Sequence, residues 1–334
     1  MGMPIAVLGA GAWGTTLADL LARKGAAVTL WAREPEVVET INGAHVNRLF
    51  LPDAPLAPEV RATAEIADAV RGAEVVVSAA PSHAVGAVIA HAAAALTGRP
   101  LVVSVSKGLE PTRLTTLSCV LAEALPRHTE IAVLSGPSFA EEVYRHQATA
   151  VVAAAAEHAV AQRVQQIFAT AYFRVYSHTD VLGVELAGAL KNVIALAAGI
   201  LEGLGVGYNT RAALLTRGLA EITRLGVALG ADPATFAGLA GLGDLILTAT
   251  GPLSRNHMLG IELGRGRTME EALAGRPTVA EGVNTARAAV TLGARAGVEL
   301  PVAREVTEVL FHGKPPAQAV VDLMDRELKA EQWR

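Results

Sequence analysis

Six residues near the start of the chain limit its fold more than any others: Gly9-Ala10-Gly11-Ala12-Trp13-Gly14, set directly after the apolar run Ile5-Ala6-Val7-Leu8. A strand that breaks into glycines and then opens a helix, here Thr15 to Lys24 with Gly25 as its stop, offers bare backbone amides and the positive end of a helix dipole to an anion. The glycines serve a tight turn, a close approach of backbone to a pyrophosphate, and the packing of helix on strand. Alone, G-x-G-x-x-G is a weak signal. Placed between a strand and a helix, with a second strand at Val28 to Trp31, it specifies dinucleotide binding. A merely structural strand-to-helix turn is the competing reading.

Short Val/Ile runs continue to alternate with Ala/Leu-rich helical stretches, the pattern of a parallel sheet covered by crossover helices. Strands are predicted at Ile5 to Leu8, Val28 to Trp31, Val75 to Ala79, Leu101 to Val105 and Ile131 to Leu134. The runs Ala150 to Ala153 and Phe173 to Tyr176 extend the sheet, with a helix through Val160, Val164 and Ile167 between them. From Asp180 onward strand signals stop. Helical periodicities broken by glycine run from Val181 to Leu204 and from Arg211 to Leu229, then in shorter pieces past a turn at Pro315-Pro316. The expected class is α/β: an N-terminal Rossmann-type, mainly parallel sheet with helices over residues 1–179, binding the dinucleotide, then an all-helical substrate domain over 180–334.

A length of 334 residues suffices for two cores. With 51% apolar and 18% charged residues the chain is far from disordered composition, and a net charge of -4 without a Lys/Arg run points away from a nucleic-acid partner. A mean hydropathy of +0.38 raises the question of a membrane. Yet the longest stretch without Asp, Glu, Lys or Arg, Val75 to Gly98, is rich in alanine and holds Pro81, His83 and His91, so no span is expected. The start of the chain lacks the cationic segment and long apolar run of a signal peptide, which predicts a cytoplasmic address. The single cysteine, Cys119, cannot form an intrachain disulfide, and no His/Cys cluster has zinc-ligand spacing, so no metal is expected.

A nicotinamide cofactor implies hydride transfer, for which the protein supplies a group that handles the proton. The second strand ends in Trp31-Ala32-Arg33-Glu34. Arg33 suits a 2'-phosphate and favours NADPH, while Glu34 leaves NADH open. Ser106-Lys107-Gly108 and Ser135-Gly136-Pro137-Ser138-Phe139-Ala140 follow the fourth and fifth strands, at the carboxyl ends where open α/β sheets bind ligands. The bland reading of Lys107 is a solvated loop lysine.

Lys191 has Ala187, Gly188, Ile194 and Ala195 three and four positions away, so its own helix face offers no carboxylate. It either finds a partner elsewhere or snorkels over alanines. Asp244 is the only charged residue between Asp232 and Arg255 and, if buried, needs pairing, with Lys191 the obvious partner; opening the next helix as its N-cap is the alternative. Ser254-Arg255-Asn256 places a hydroxyl, a guanidinium and an amide in succession, which suits a phosphate oxyanion or lines a solvated loop.

Gly9 to Gly14 with Trp13, Ser106 to Glu110, Ser135 to Ala140, Gly183 to Gly199 around Lys191-Asn192, Asn209 to Gly226, Gly238 to Thr248 around Asp244, Ser254 to Asn256, and Glu281-Gly282 together make a specific pattern. It resembles the bacterial-type NAD(P)-dependent sn-glycerol-3-phosphate dehydrogenases along essentially the full length. The resemblance implies reversible reduction of dihydroxyacetone phosphate to sn-glycerol 3-phosphate, the entry to glycerophospholipid synthesis. It also implies a catalytic Lys191 that accepts the proton in the oxidation direction, with Asp244 beside it.

Substrate contacts implied by the resemblance are Lys107, Gly136, Ser138, Lys191, Asp244, Ser254, Arg255 and Asn256. Beyond Gly9, Gly11 and Gly14, implied cofactor contacts are Trp13, Arg33, Lys107, Ala140, Arg255, Val279 and Glu281, and the family commonly forms homodimers. Ser104-Val105-Ser106 precedes Lys107 where Ala-Thr is commoner, and Phe50 stands where Tyr often precedes Leu-Pro. A 2-hydroxyacid or 6-phosphogluconate dehydrogenase would share the architecture, but Gly-Leu-Gly-Asp and Ser-Arg-Asn weigh against it. A silent NADP-binding regulator would bind cofactor without turnover.

Overall fold

The computed structural model describes residues 2–127, 129–274, 280–328 and 330–331. Eight strands form one sheet: β1 (Pro4–Leu8), β2 (Ala27–Trp31), β3 (Arg61–Thr63), β4 (Val75–Ser78), β5 (Leu101–Ser104), β6 (Ile131–Ser135), β7 (Thr149–Ala155) and β8 (Phe173–His178). Their order is β8-β7-β6-β5-β4-β1-β2-β3. The first six run parallel, β7 is antiparallel to β6, and β8 is parallel to β7. The chain moves outward from β1 to β3 and returns to the far side of β1 as β4. Strand order therefore reverses at the carboxyl end of β1, where the glycine loop begins.

Seven helices accompany these strands: α1 (Ala12–Arg23), α2 (Pro35–Ala44), α3 (Ile66–Val70), α4 (Val85–Ala93), α5 (Leu117–Ala124), α6 (Ala140–Tyr144) and α7 (His158–Phe168). Alternation along β1 sends Ile5 and Val7 into one core with Leu30, Val77 and Val103, beneath α1, α2, α6 and α7. Ala6 and Leu8 enter the other with Val76 and Val102, beneath α3, α4 and α5. Covered on both faces, the central strands are apolar at nearly every position, so they stand out in the sequence. The edge strand β3, Arg61-Ala62-Thr63, has only Ala62 buried and is too short for a period of two, so it was not expected.

The helices that follow are α8 (Val181–Gly203), α9 (Tyr208–Ala228), α10 (Pro233–Phe236), a π-type turn (Leu239–Gly243), α11 (Asp244–Thr250), α12 (Arg255–Gly264), α13 (Met269–Leu273), α14 (Glu281–Ala296), α15 (Pro301–His312) and α16 (Pro316–Met324). The chain forms two compact units, one of Met1–Gly188 with Gly230–Asp244, the other of Ala189–Leu229 with Leu245–Arg334. By length and composition α8 is apolar enough to cross a membrane, but its apolar window is wholly buried inside the protein. It meets α12 backbone to backbone. A β-carbon on Gly199 would lie 2.1 Å from the His257 carbonyl oxygen, and one on Gly260 2.2 Å from that of Leu196. Glycine's helix penalty is offset there by the close packing it permits.

Glu221, buried in α9, accepts the Val302 and Ala303 N–H groups at 2.8 and 3.4 Å and so caps the first turn of α15. Burial outweighs these amides and pushes its carboxyl from 4.5 up to about 7. The folded chain thus holds this proton more tightly than the unfolded one. Its stabilising effect is complete below pH 4.5 and is lost as pH rises through about 7. We expect Glu221→Gln to remove a stability decline of up to about 3 kcal/mol across that window, read by urea unfolding at a series of pH values.

Candidate active site

Two glycines of the first loop answer to the chain itself. Gly9 has φ 124°, and a β-carbon there would lie 2.8 Å from the Ala79 carbonyl; on Gly14 it would lie 1.9 Å from the Gly9 oxygen. Gly11 does not. It is the N-cap of α1, with no side-chain cap and no chain atom within 4 Å of where its β-carbon would stand. Nothing crowds Gly11 at the start of α1, which leaves room at that turn for the pyrophosphate of a dinucleotide.

The Trp13 ring is partly buried with its centroid 6.4 Å from that of Phe173. Ala140, at the start of α6, accepts the Thr16 hydroxyl at 3.2 Å and so ties α6 to α1. Past β2, Arg33 donates to one Glu34 oxygen from Nε at 3.0 Å and from Nη2 at 2.7 Å. The two side chains that point to different cofactors are thus paired with each other. With Arg33 83% exposed, such a pair is worth at most about 1 kcal/mol and opens easily.

At the end of β5, Lys107 donates to the Gly136 carbonyl at 2.9 Å and to Asp244 Oδ2 at 2.6 Å. The Ser138 hydroxyl donates to the same carbonyl at 3.0 Å. The Asp244 side chain is 1% exposed and that of Lys107 20%, so the cost of burying the carboxylate is offset in part by this ammonium. The π-type turn delivers Asp244 to it. A β-carbon on Gly241 would lie 2.1 Å from the Phe236 carbonyl oxygen. Only a nearly bare backbone closes there. Gly188 on α8 leaves similar room: its β-carbon would stand 2.9 Å from Ser135 Oγ and 3.8 Å from Lys107 Cγ.

Lys107 is thus a partner for Asp244 that spacing alone did not suggest. Lys191, 4% exposed on α8, donates to the Thr248 hydroxyl. Asn256 donates to Asn192 Oδ1 at 3.0 Å and accepts the Gly282 N–H at 2.9 Å, which joins α12, α8 and α14. Ser254 caps α12 by accepting the His257 N–H at 3.2 Å. Arg255 is exposed in the first turn of α12, Glu281 opens α14, and Val279 lies outside the described residues. Sequence reasoning missed Thr248 and Asn192 as site residues. Thr248 follows Asp244 by one helical turn on α11, and that spacing was the available signal. The partner of Asn192 lies 64 residues away, with no local sign of it.

A loop with room for a pyrophosphate and a buried lysine able to carry a proton describe an oxidoreductase that works with a nicotinamide dinucleotide. Within that class, residues 4–161 match the N-terminal model, and residues 180–321 the C-terminal model, of NAD-dependent glycerol-3-phosphate dehydrogenase. The chain belongs to this family.

It is 54% identical over 333 residues to the glycerol-3-phosphate dehydrogenase (NAD(P)+) of Geobacter sp. (strain M21), covering 99% of each chain. Its identity to that of Myxococcus xanthus (strain DK1622) is 50% over 327 residues, or 97% of this chain and 98% of the other. The crystal structure of glycerol-3-phosphate dehydrogenase from Coxiella burnetii matches it with a TM-score of 0.93 at 37% identity, covering 97% of this chain and 99% of that one.

Lys107 and Asp244 are expected to behave as one unit. In a double-mutant cycle of Lys107→Met and Asp244→Asn, the coupling energy from urea unfolding is expected to be about 1–3 kcal/mol. Simple additivity would show that the pair contributes no mutual stabilisation.

Proposed function

We propose that this enzyme catalyses the reversible NAD(P)H-dependent reduction of dihydroxyacetone phosphate to sn-glycerol 3-phosphate and supplies glycerophospholipid synthesis. The observation that carries this reading is a buried Lys191 held on a hydroxyl, in a chain whose two parts match the two family models. The dinucleotide, bound along the glycine loop, supplies the hydride that reduces the ketone carbon. Lys191 gives its proton to the oxygen that becomes the alcohol, and in the oxidation direction takes the same proton back. The two directions need opposite protonation states of one nitrogen. Thr248 accepts from Lys191 and so sets where that ammonium points.

Lys107, Ser138, Arg255 and Asn256 bind substrate oxygens, with Asp244 anchoring Lys107 and Ser254 setting the first turn of α12. On the cofactor side, Arg33 turns from Glu34 onto a 2'-phosphate, which favours NADPH over NADH. Residues 1–179 serve the dinucleotide and 180–334 the substrate, in a cytoplasmic homodimer.

The first test is loss of NADPH absorbance on adding dihydroxyacetone phosphate to the purified protein, with NADH in parallel. Oxidation with this ketone supports the reading; cofactor binding without oxidation would transfer it to a regulator. Lys191→Ala is expected to lower kcat by about 10²–10⁴-fold while NADPH binding persists, as titration of cofactor fluorescence would show. Arg33→Ala is expected to raise the KM for NADPH more than that for NADH. Equal losses would sink the cofactor assignment.

A further inference from the structure

We infer that Asn47 is a positioning residue for the cofactor's phosphate loop, acting on the dinucleotide through the Ala10–Gly11 peptide. Asn47 sits on a two-residue strand, Val46–Asn47, paired with Leu51–Pro55, and its side chain reaches back 37 residues to the glycine loop. It is completely buried. Its Nδ2 donates to the Ala10 carbonyl and to Thr15 Oγ1, each at 2.8 Å, and its Oδ1 accepts the Phe50 N–H at 3.1 Å. Thr15 adds a second donor to the Ala10 carbonyl at 3.2 Å. A primary amide removed from water is stable only where its partners meet it, and its amide nitrogen serves one carbonyl of the loop and one hydroxyl of α1.

The consequence follows from the planarity of the peptide bond. In a trans peptide the carbonyl of Ala10 and the N–H of Gly11 point in opposite directions. Two donors hold that carbonyl on the side of Asn47 and Thr15, so the Gly11 N–H points the opposite way. Asn47 thereby holds in advance an amide that an incoming phosphate needs, and binding does not have to order it. This inference rests on the reading that the dinucleotide lies along the loop. Because the pyrophosphate is common to NADH and NADPH, the effect must be the same for both, unlike that of Arg33.

The test uses the full-length enzyme and its Asn47→Ala and Thr15→Val variants, with dissociation constants for NADPH and NADH, steady-state constants and thermal midpoints measured for each. Asn47→Ala is expected to weaken both dinucleotides equally and by roughly tenfold, the size of one lost amide–phosphate hydrogen bond, while kcat at saturating cofactor and the KM for dihydroxyacetone phosphate hold. Thr15→Val, which removes the second donor, is expected to shift the same constants in the same direction and reads the same peptide if Asn47→Ala does not fold.

A lowered thermal midpoint with unchanged affinity for both cofactors would overturn the inference, because Asn47 would then serve stability only. Unequal loss between the two cofactors would overturn it as well. If the unaltered enzyme bound neither dinucleotide, the functional reading would fall and this inference with it. Binding by the unaltered enzyme, undiminished in both variants, would remove the inference alone.

Discussion

Backbone lies directly on backbone where β1 ends, and the N-terminal unit is organised around that approach. Gly9 passes so near Ala79, and Gly14 so near Gly9, that a single β-carbon at either would collide with main-chain atoms. Because no side chain intervenes, α1 starts immediately at the edge of the sheet and points its amides along the crevice where strand order reverses. The strands on either side can be continuous apolar runs, since both faces are covered. Asn47 completes the arrangement by donating to the Ala10 carbonyl of the loop.

Several buried polar groups take a partner from a different element. Glu221 holds the first turn of α15. Glu185, buried in the first turns of α8, accepts the Ser118 N–H at 2.9 Å and its hydroxyl at the start of α5, and burial pushes its carboxyl up. Asp244 takes the Lys107 ammonium, and Lys191 is held by Thr248. The cost of removing such groups from water makes each pairing nearly obligatory, so each also fixes the relation of the two elements it joins.

Most of the fold was legible because it rests on local periodicity. The interior strands need uninterrupted Val, Ile and Leu, the glycine loop needs its three glycines at fixed offsets, and α8 needs a long apolar stretch with helical spacing. The strand Arg61–Thr63 escaped because an edge position buries one side chain and leaves no pattern. The candidate site was legible as residue types but not as pairs. Asp244 was visible as a charge that could not stand alone in an apolar segment. That Lys107 donates to it was not, because Lys107 lies 137 residues away and looks like any loop lysine.

The sequence by itself determined the α/β start, the helical remainder and the glycine loop, since each depends on neighbours within about one or two turns of chain. Only the tertiary structure decided which residues meet: Lys107 with Asp244, Lys191 with Thr248, Asn256 with Asn192, and Asn47 with the Ala10 carbonyl. A hydrogen bond between distant residues leaves no periodic trace, because its geometry is set by how whole helices and strands pack and not by the spacing of the two residues along the chain.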